Sequence, residues 1–85
     1  METLIKTDKP ILATSVEISE KGLIIVTSKG KYFVNWQDCS PVLIKATFAE
    51  RARWELSPSG YGIHWPLIDE DLSIGGLVSI GKLIL

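Results

Sequence analysis

Leu23-Ile24-Ile25-Val26-Thr27-Ser28-Lys29-Gly30-Lys31-Tyr32-Phe33-Val34-Asn35-Trp36 is the stretch that decides the fold. Its opening residues are mostly β-branched, which suits a pleated, half-buried strand. Ser28-Lys29-Gly30 makes a tight turn, with Gly where a positive φ is needed, and Lys31 to Trp36 alternates as the next strand. Upstream, Ile11 to Ile18 reads as a strand in which Leu12, Thr14, Val16 and Ile18 share one parity, and Glu20-Lys21-Gly22 turns it back. Three strands on short connections form an antiparallel meander with one covered face.

Beyond Trp36 the period changes. Ser40 places a capping hydroxyl before Pro41, so Pro41 to Lys45 is predicted to be a helical turn. Thr47-Phe48-Ala49-Glu50 is a capping box, and the helix it starts runs from Phe48 to about Trp54. Trp54-Glu55-Leu56 leaves as a strand. Ser57-Pro58-Ser59-Gly60 is a turn, and Tyr61 to Trp65 is a last strand stopped by Pro66. Asp69 or Asp71 is then expected to cap a final short helix, weakened by Gly75-Gly76. The expected fold class is α+β: a small antiparallel β-meander with short helices packed on one face, in a single domain over residues 1–85.

Composition narrows the function classes. The 85 residues carry nine Lys and Arg against ten Asp and Glu, a formal net charge of −1. So even a balance gives no sequence-independent grip on nucleic-acid phosphates. At 46% apolar residues and a mean hydropathy of +0.23 the chain is too oily to be disordered. Cys39 is the single cysteine, so no internal disulfide forms and a reducing compartment is expected. Met1 to Lys6 shows no secretory leader pattern, and the oily stretch Leu77–Leu85 is far shorter than the ~20 residues that span a bilayer. A cytoplasmic protein without membrane contact is expected.

The densest polar cluster is Asp69-Glu70-Asp71, with His64 five residues before it. Such a group holds a hard cation or does acid–base work, yet the spacing matches no Ca²⁺ loop and no zinc pattern. Acids at a helix start already complement its dipole, which is the plainer reading. Cys39 precedes a predicted helix start, where a thiol pKa can fall, but nothing in the sequence puts it near His64, and a small half-buried residue at a strand-to-helix junction is the favoured reading. Arg51 and Arg53, with Lys29 and Lys31, would suit nucleic acid if Trp54 or Tyr61 stacked on a base. Interleaved Glu50 and Glu55 favour an ordinary solvated face. No phosphate-cradling glycine loop is present. Of Trp36, Trp54 and Trp65, at least two are expected in the core, and a third could join Tyr61 in anchoring a partner.

Ala46-Thr47-Phe48-Ala49-Glu50-Arg51-Ala52-Arg53-Trp54, followed by Gly60-Tyr61-Gly62-Ile63-His64-Trp65-Pro66-Leu67-Ile68-Asp69-Glu70-Asp71-Leu72, resembles the small bacterial domain-of-unknown-function 2442 family. The likeness covers about residues 12–77 and leaves an apolar tail, 78–85. It implies a compact α+β domain and an antitoxin-like place in a gene pair, as the binding partner of a small neighbouring protein. Some longer members of that family carry a helix-turn-helix after the domain, for which the residues up to Leu85 are expected to leave no room.

The expectation is therefore a non-enzymatic protein-interaction module with no cofactor, no metal and no catalytic residues. Its contact surface is expected at Tyr61, His64, Trp65, Asp69, Glu70 and Asp71, or at the tail residues Leu83, Ile84 and Leu85. Leu77, Val78, Ile80 and Leu83–Leu85 exceed what so small a domain can cover, so a homo-oligomer packed through the tail is expected. The alternatives are a small transcriptional autoregulator and, last, a metal-dependent hydrolase using His64 with Asp69 and Asp71.

Overall fold

A computed structural model describes residues 11–85, so the leader reading of Met1–Lys6 lies outside the described residues. The meander forms as expected: β1 (Ala13–Ile18), β2 (Gly22–Thr27) and β3 (Gly30–Asn35) pair antiparallel in order. The β2–β3 turn is closed by Thr27, whose Oγ1 donates to the Gly30 carbonyl at 2.8 Å and accepts from the Lys29 amide at 3.0 Å. Gly30 has φ 135°, a conformation that L side chains rarely adopt.

The inward parity of β1 differs from expectation. Ala13 pairs with Thr27 but Ser15 with Val26, so Thr14 is an extra residue in the strand. This bulge flips the parity, burying Ala13 and Val16 while Leu12 and Thr14 are exposed. Thr14 Oγ1 donates to the Val26 carbonyl at 3.2 Å, a bond available to a hydroxyl and not to an aliphatic side chain.

Helices α1 (Trp36–Cys39), α2 (Pro41–Lys45) and α3 (Phe48–Ala52) follow. The third strand stops one residue sooner than expected, because Asn35 Oδ1 accepts the Gln37 amide and caps α1. That swing buries Trp36, whose indole N–H donates to the Ser19 carbonyl at 2.9 Å. Ser40 caps α2 with Pro41 in its first turn, and the Thr47–Glu50 capping box is complete in both directions. The helix it starts ends at Ala52, two residues before Trp54.

The second half builds a separate sheet of β4 (Glu55–Leu56), β5 (Gly62–Trp65) and β6 (Glu70–Ser73), in that order. The strand ending at Trp65 is thus followed by another, and neither Asp69 nor Asp71 caps a helix. Helix α4 (Ile74–Ile80) is capped by Ser73, whose hydroxyl accepts the Gly76 amide at 3.0 Å. Asp69 instead closes the β5–β6 turn at φ 52°. Short polar residues visit that left-handed region more readily than aliphatic ones, by bonding to nearby backbone. The physical reason for the correction is Leu72: in a strand it packs on the core while Asp71 and Ser73 point out, a period of two.

The two sheets and α4 enclose one core. It includes Leu23, Ile25 and Val34 from the first sheet, Ile63 and Trp65 from the second, and Ile74, Leu77 and Val78 from α4. Gly60 (φ 79°) ties the halves, since its carbonyl accepts the Ala13 amide at 3.0 Å and a Cβ there would sit 2.4 Å from the Ala13 carbonyl oxygen. Strand β7 (Lys82–Leu83) then adds to the edge of β3. Much of the expected tail is therefore part of the fold: Leu77 and Val78 are core, while Ile80, Leu83, Ile84 and Leu85 stay exposed.

Candidate functional site

The β5–β6 hairpin carries most of the residues singled out in the sequence, and its alternation sorts them onto two faces. Ile63 and Trp65 point inward with Leu72, so Trp65 is fully buried. This overturns its place in a contact surface. Its indole N–H donates to the Arg51 carbonyl at 3.0 Å, fixing the second sheet to the last turn of α3. With Trp36 also buried and Trp54 packed against the core, all three tryptophans serve the interior.

His64 and Asp71 lie on the outer face, directly opposite one another, with His64 Nδ1 and Asp71 Oδ1 2.8 Å apart. Glu55 flanks His64 from β4. Together with Ser57 and Pro58 they line a shallow cleft of about 300 Å³. Ser57 is the one hydroxyl-bearing residue among the described residues lining this cleft, but its Oγ accepts the Tyr61 and Gly62 amides, and none of the described hydrogen bonds joins it to His64. The Asp71 side chain is 75% exposed, so the pair acts in high dielectric and its worth to stability is small. Asp69 sits in the turn, and Glu70, half-buried, pairs in register with Trp65. Among the described residues no group of three metal-binding side chains converges. Tyr61 is 52% exposed beside this hairpin.

The tail residues Leu83, Ile84 and Leu85 are 61%, 49% and 78% exposed. They lie on the open side of the first sheet, where β7 is the edge strand. Ile84 N–H donates to the Lys31 carbonyl at 2.8 Å, and the Leu85 carbonyl accepts the Lys31 amide at 3.2 Å, so this chain holds its own tail against β3.

Cys39 is half-buried, in keeping with the plainer of its two readings. Its thiol is pushed up to about 11, first by burial and then by the Asp38 carboxylate, with the Arg51 guanidinium acting against both. It ends α1, and Ser40 rather than Cys39 caps α2, so no helix start lowers its pKa.

The basic residues do not share a face. Lys31 pairs with Glu17 across the first sheet at 3.3 Å. Arg53 is exposed at the end of α3, whereas Arg51 turns inward over the Trp36 ring, 4.6 Å from its centroid. Arg51 also donates from Nε to the Leu43 carbonyl at 2.9 Å and from Nη2 to the Ile44 carbonyl at 3.0 Å. Sequence reasoning missed this constellation, because Trp36 and Arg51 are brought together only by the turns between α1, α2 and α3.

Two antiparallel sheets closed over short helices define a small α+β domain. No helix among the described residues is long and apolar enough to cross a membrane. The chain belongs to the family described as Protein of unknown function (DUF2442), whose match spans residues 13–82. That span runs past residue 77 and takes in α4 and the start of β7, in keeping with their part in the core. Neither the curated proteins nor the solved structures yield a match.

Proposed function

We propose that this domain is a non-enzymatic protein-interaction module of the cytoplasm that associates with a second copy of itself through the edge of β7 that pairs with no other strand among the described residues. The observation that supports this reading is the row Leu83, Ile84 and Leu85, exposed at the end of an edge strand and just beyond it, at the border of a four-stranded sheet. An open edge offers a line of backbone donors and acceptors, and an antiparallel strand from a second copy satisfies them about a two-fold axis. Exposed leucines beside that edge supply the apolar area that backbone pairing alone lacks. The antitoxin-like role implied by the resemblance belongs to the same proposal, with the neighbouring gene's product as the further partner.

Light scattering on the full chain tests the association. The expected result is a mass of twice 9.4 kDa that falls to 9.4 kDa in Leu83→Lys, whose unchanged melting shows that the fold survives. A wild-type chain that stays monomeric at high concentration overturns the reading. Co-expression with the neighbouring gene's product tests the second partner, and recovery of both chains as separate species removes it.

A further inference from the structure

The Arg51 constellation borders a cleft of about 330 Å³ between the β1–β2 turn and helices α1 to α3. We propose that this cleft binds a carboxylate side chain from an acidic peptide segment of a partner protein. The argument starts from the guanidinium. Its Nε and Nη2 edge is spent on the Leu43 and Ile44 carbonyls, which leaves the Nη1–Nη2 edge for a two-pronged contact. Among the described residues no carboxylate lies within ion-pairing distance of it; the ion pairs there are Lys31–Glu17 and His64–Asp71. Stacking on Trp36 and the two carbonyls hold the fork still, so a ligand need not order a flexible side chain.

Lys21 brings a second cation to the same cleft, its carbonyl bonded to the Trp36 amide at 3.3 Å. Asn35 and Gln37 add side-chain amides, and Ile44, 45% exposed, adds an apolar rim. Glu20 also lines the cleft. A neighbouring carboxylate and a net charge of −1 disfavour a polyanion such as nucleic acid, while leaving two cations for a single carboxylate. Guanidinium, amides and apolar rim together fit an acidic side chain next to an apolar one. This surface is independent of the β7 edge, and its test reads a different signal.

The test is an NMR titration of the ¹⁵N-labelled full chain with an acetylated, amidated Glu-Leu dipeptide, which carries one carboxylate next to one apolar side chain, following the Arg51 Nε–H and Trp36 indole resonances. Saturable shifts of both are expected below about 10 mM peptide, the range of a small single-site contact. Because Arg51 also holds the end of α2, the deciding variant is Lys21→Glu, with its fold checked by an unchanged melting curve. At least roughly tenfold weaker binding is expected there, since an attractive charge has been reversed. Absence of shifts in the wild type, or equal binding by Lys21→Glu, overturns the proposal. Inorganic phosphate is the comparison probe: if it shifts both resonances as strongly as the peptide, the site is a general anion site and the acidic-peptide assignment falls.

Discussion

The β2–β3 and β5–β6 hairpins are built on the same antiparallel plan, yet they are held by different means. The first has six paired positions and a two-residue connection between Thr27 and Gly30. Its turn is locked by the Thr27 hydroxyl and by a glycine at φ 135°. The second has four paired positions and a longer connection from Pro66 to Asp69, with a non-glycine residue at φ 52°. Its stability comes from what it packs on: Ile63 and Trp65 inward, and the Trp65 indole bonded to α3. A locally encoded hairpin and a tertiary one therefore sit side by side around one core.

The largest expected effect breaks the second hairpin alone. Trp65→Ala removes a fully buried ring and its hydrogen bond to Arg51, and should cost about 3–5 kcal/mol in urea unfolding. For a domain this small that is a large share of total stability. If the contrast is right, amide exchange in residues 62–73 rises well before that in residues 22–35; uniform acceleration would mean that the hairpins are one cooperative unit.

A smaller effect separates the turns. Asp69→Val should destabilise by about 1–2 kcal/mol, because a β-branched side chain is strained at φ 52°. Asp69→Gly should cost nothing by this route, and thermal melting of the two variants checks the difference. Equal losses in both would show that the carboxylate matters and the backbone angle does not.

The smallest effect concerns Cys39, which packs under the first half. With its thiol raised from 9.0 to about 11, the folded chain keeps the proton that the unfolded chain releases. This contribution is fully present below pH 9 and is lost as pH rises from 9 toward 11. At pH 8 the thiolate fraction is roughly a hundredfold below that of an unperturbed thiol, so iodoacetamide should react correspondingly slowly. Alkylation as fast as that of the urea-unfolded chain would contradict the burial of the sulfur.

How much of this was legible in the sequence follows the same division. The meander, the Ser40-Pro41 start and the Thr47–Glu50 capping box rest on residues within a few positions of one another, and all appear within two residues of where the chain predicts them, although the bulge in β1 changes which of its side chains face inward. The acids at 69–71 are a different case. A carboxylate serves a helix start or a left-handed turn equally well, so local chemistry does not separate the readings. The candidate contact residues divide likewise. Tyr61, His64 and Asp71 are accessible, but Trp65 is enclosed because the strand's alternation turns it toward α4 and the first sheet.

By itself the sequence determined the fold class, the three-stranded meander and the family, since these depend on periodicity, turn residues and short motifs. Tertiary structure alone decided β6 as the third strand of the second sheet, the flipped parity of β1, the return of the tail as β7 and the meeting of Trp36 with Arg51. Each of those depends on which distant surface a segment finds when it is buried, and burial is a property of the assembled core.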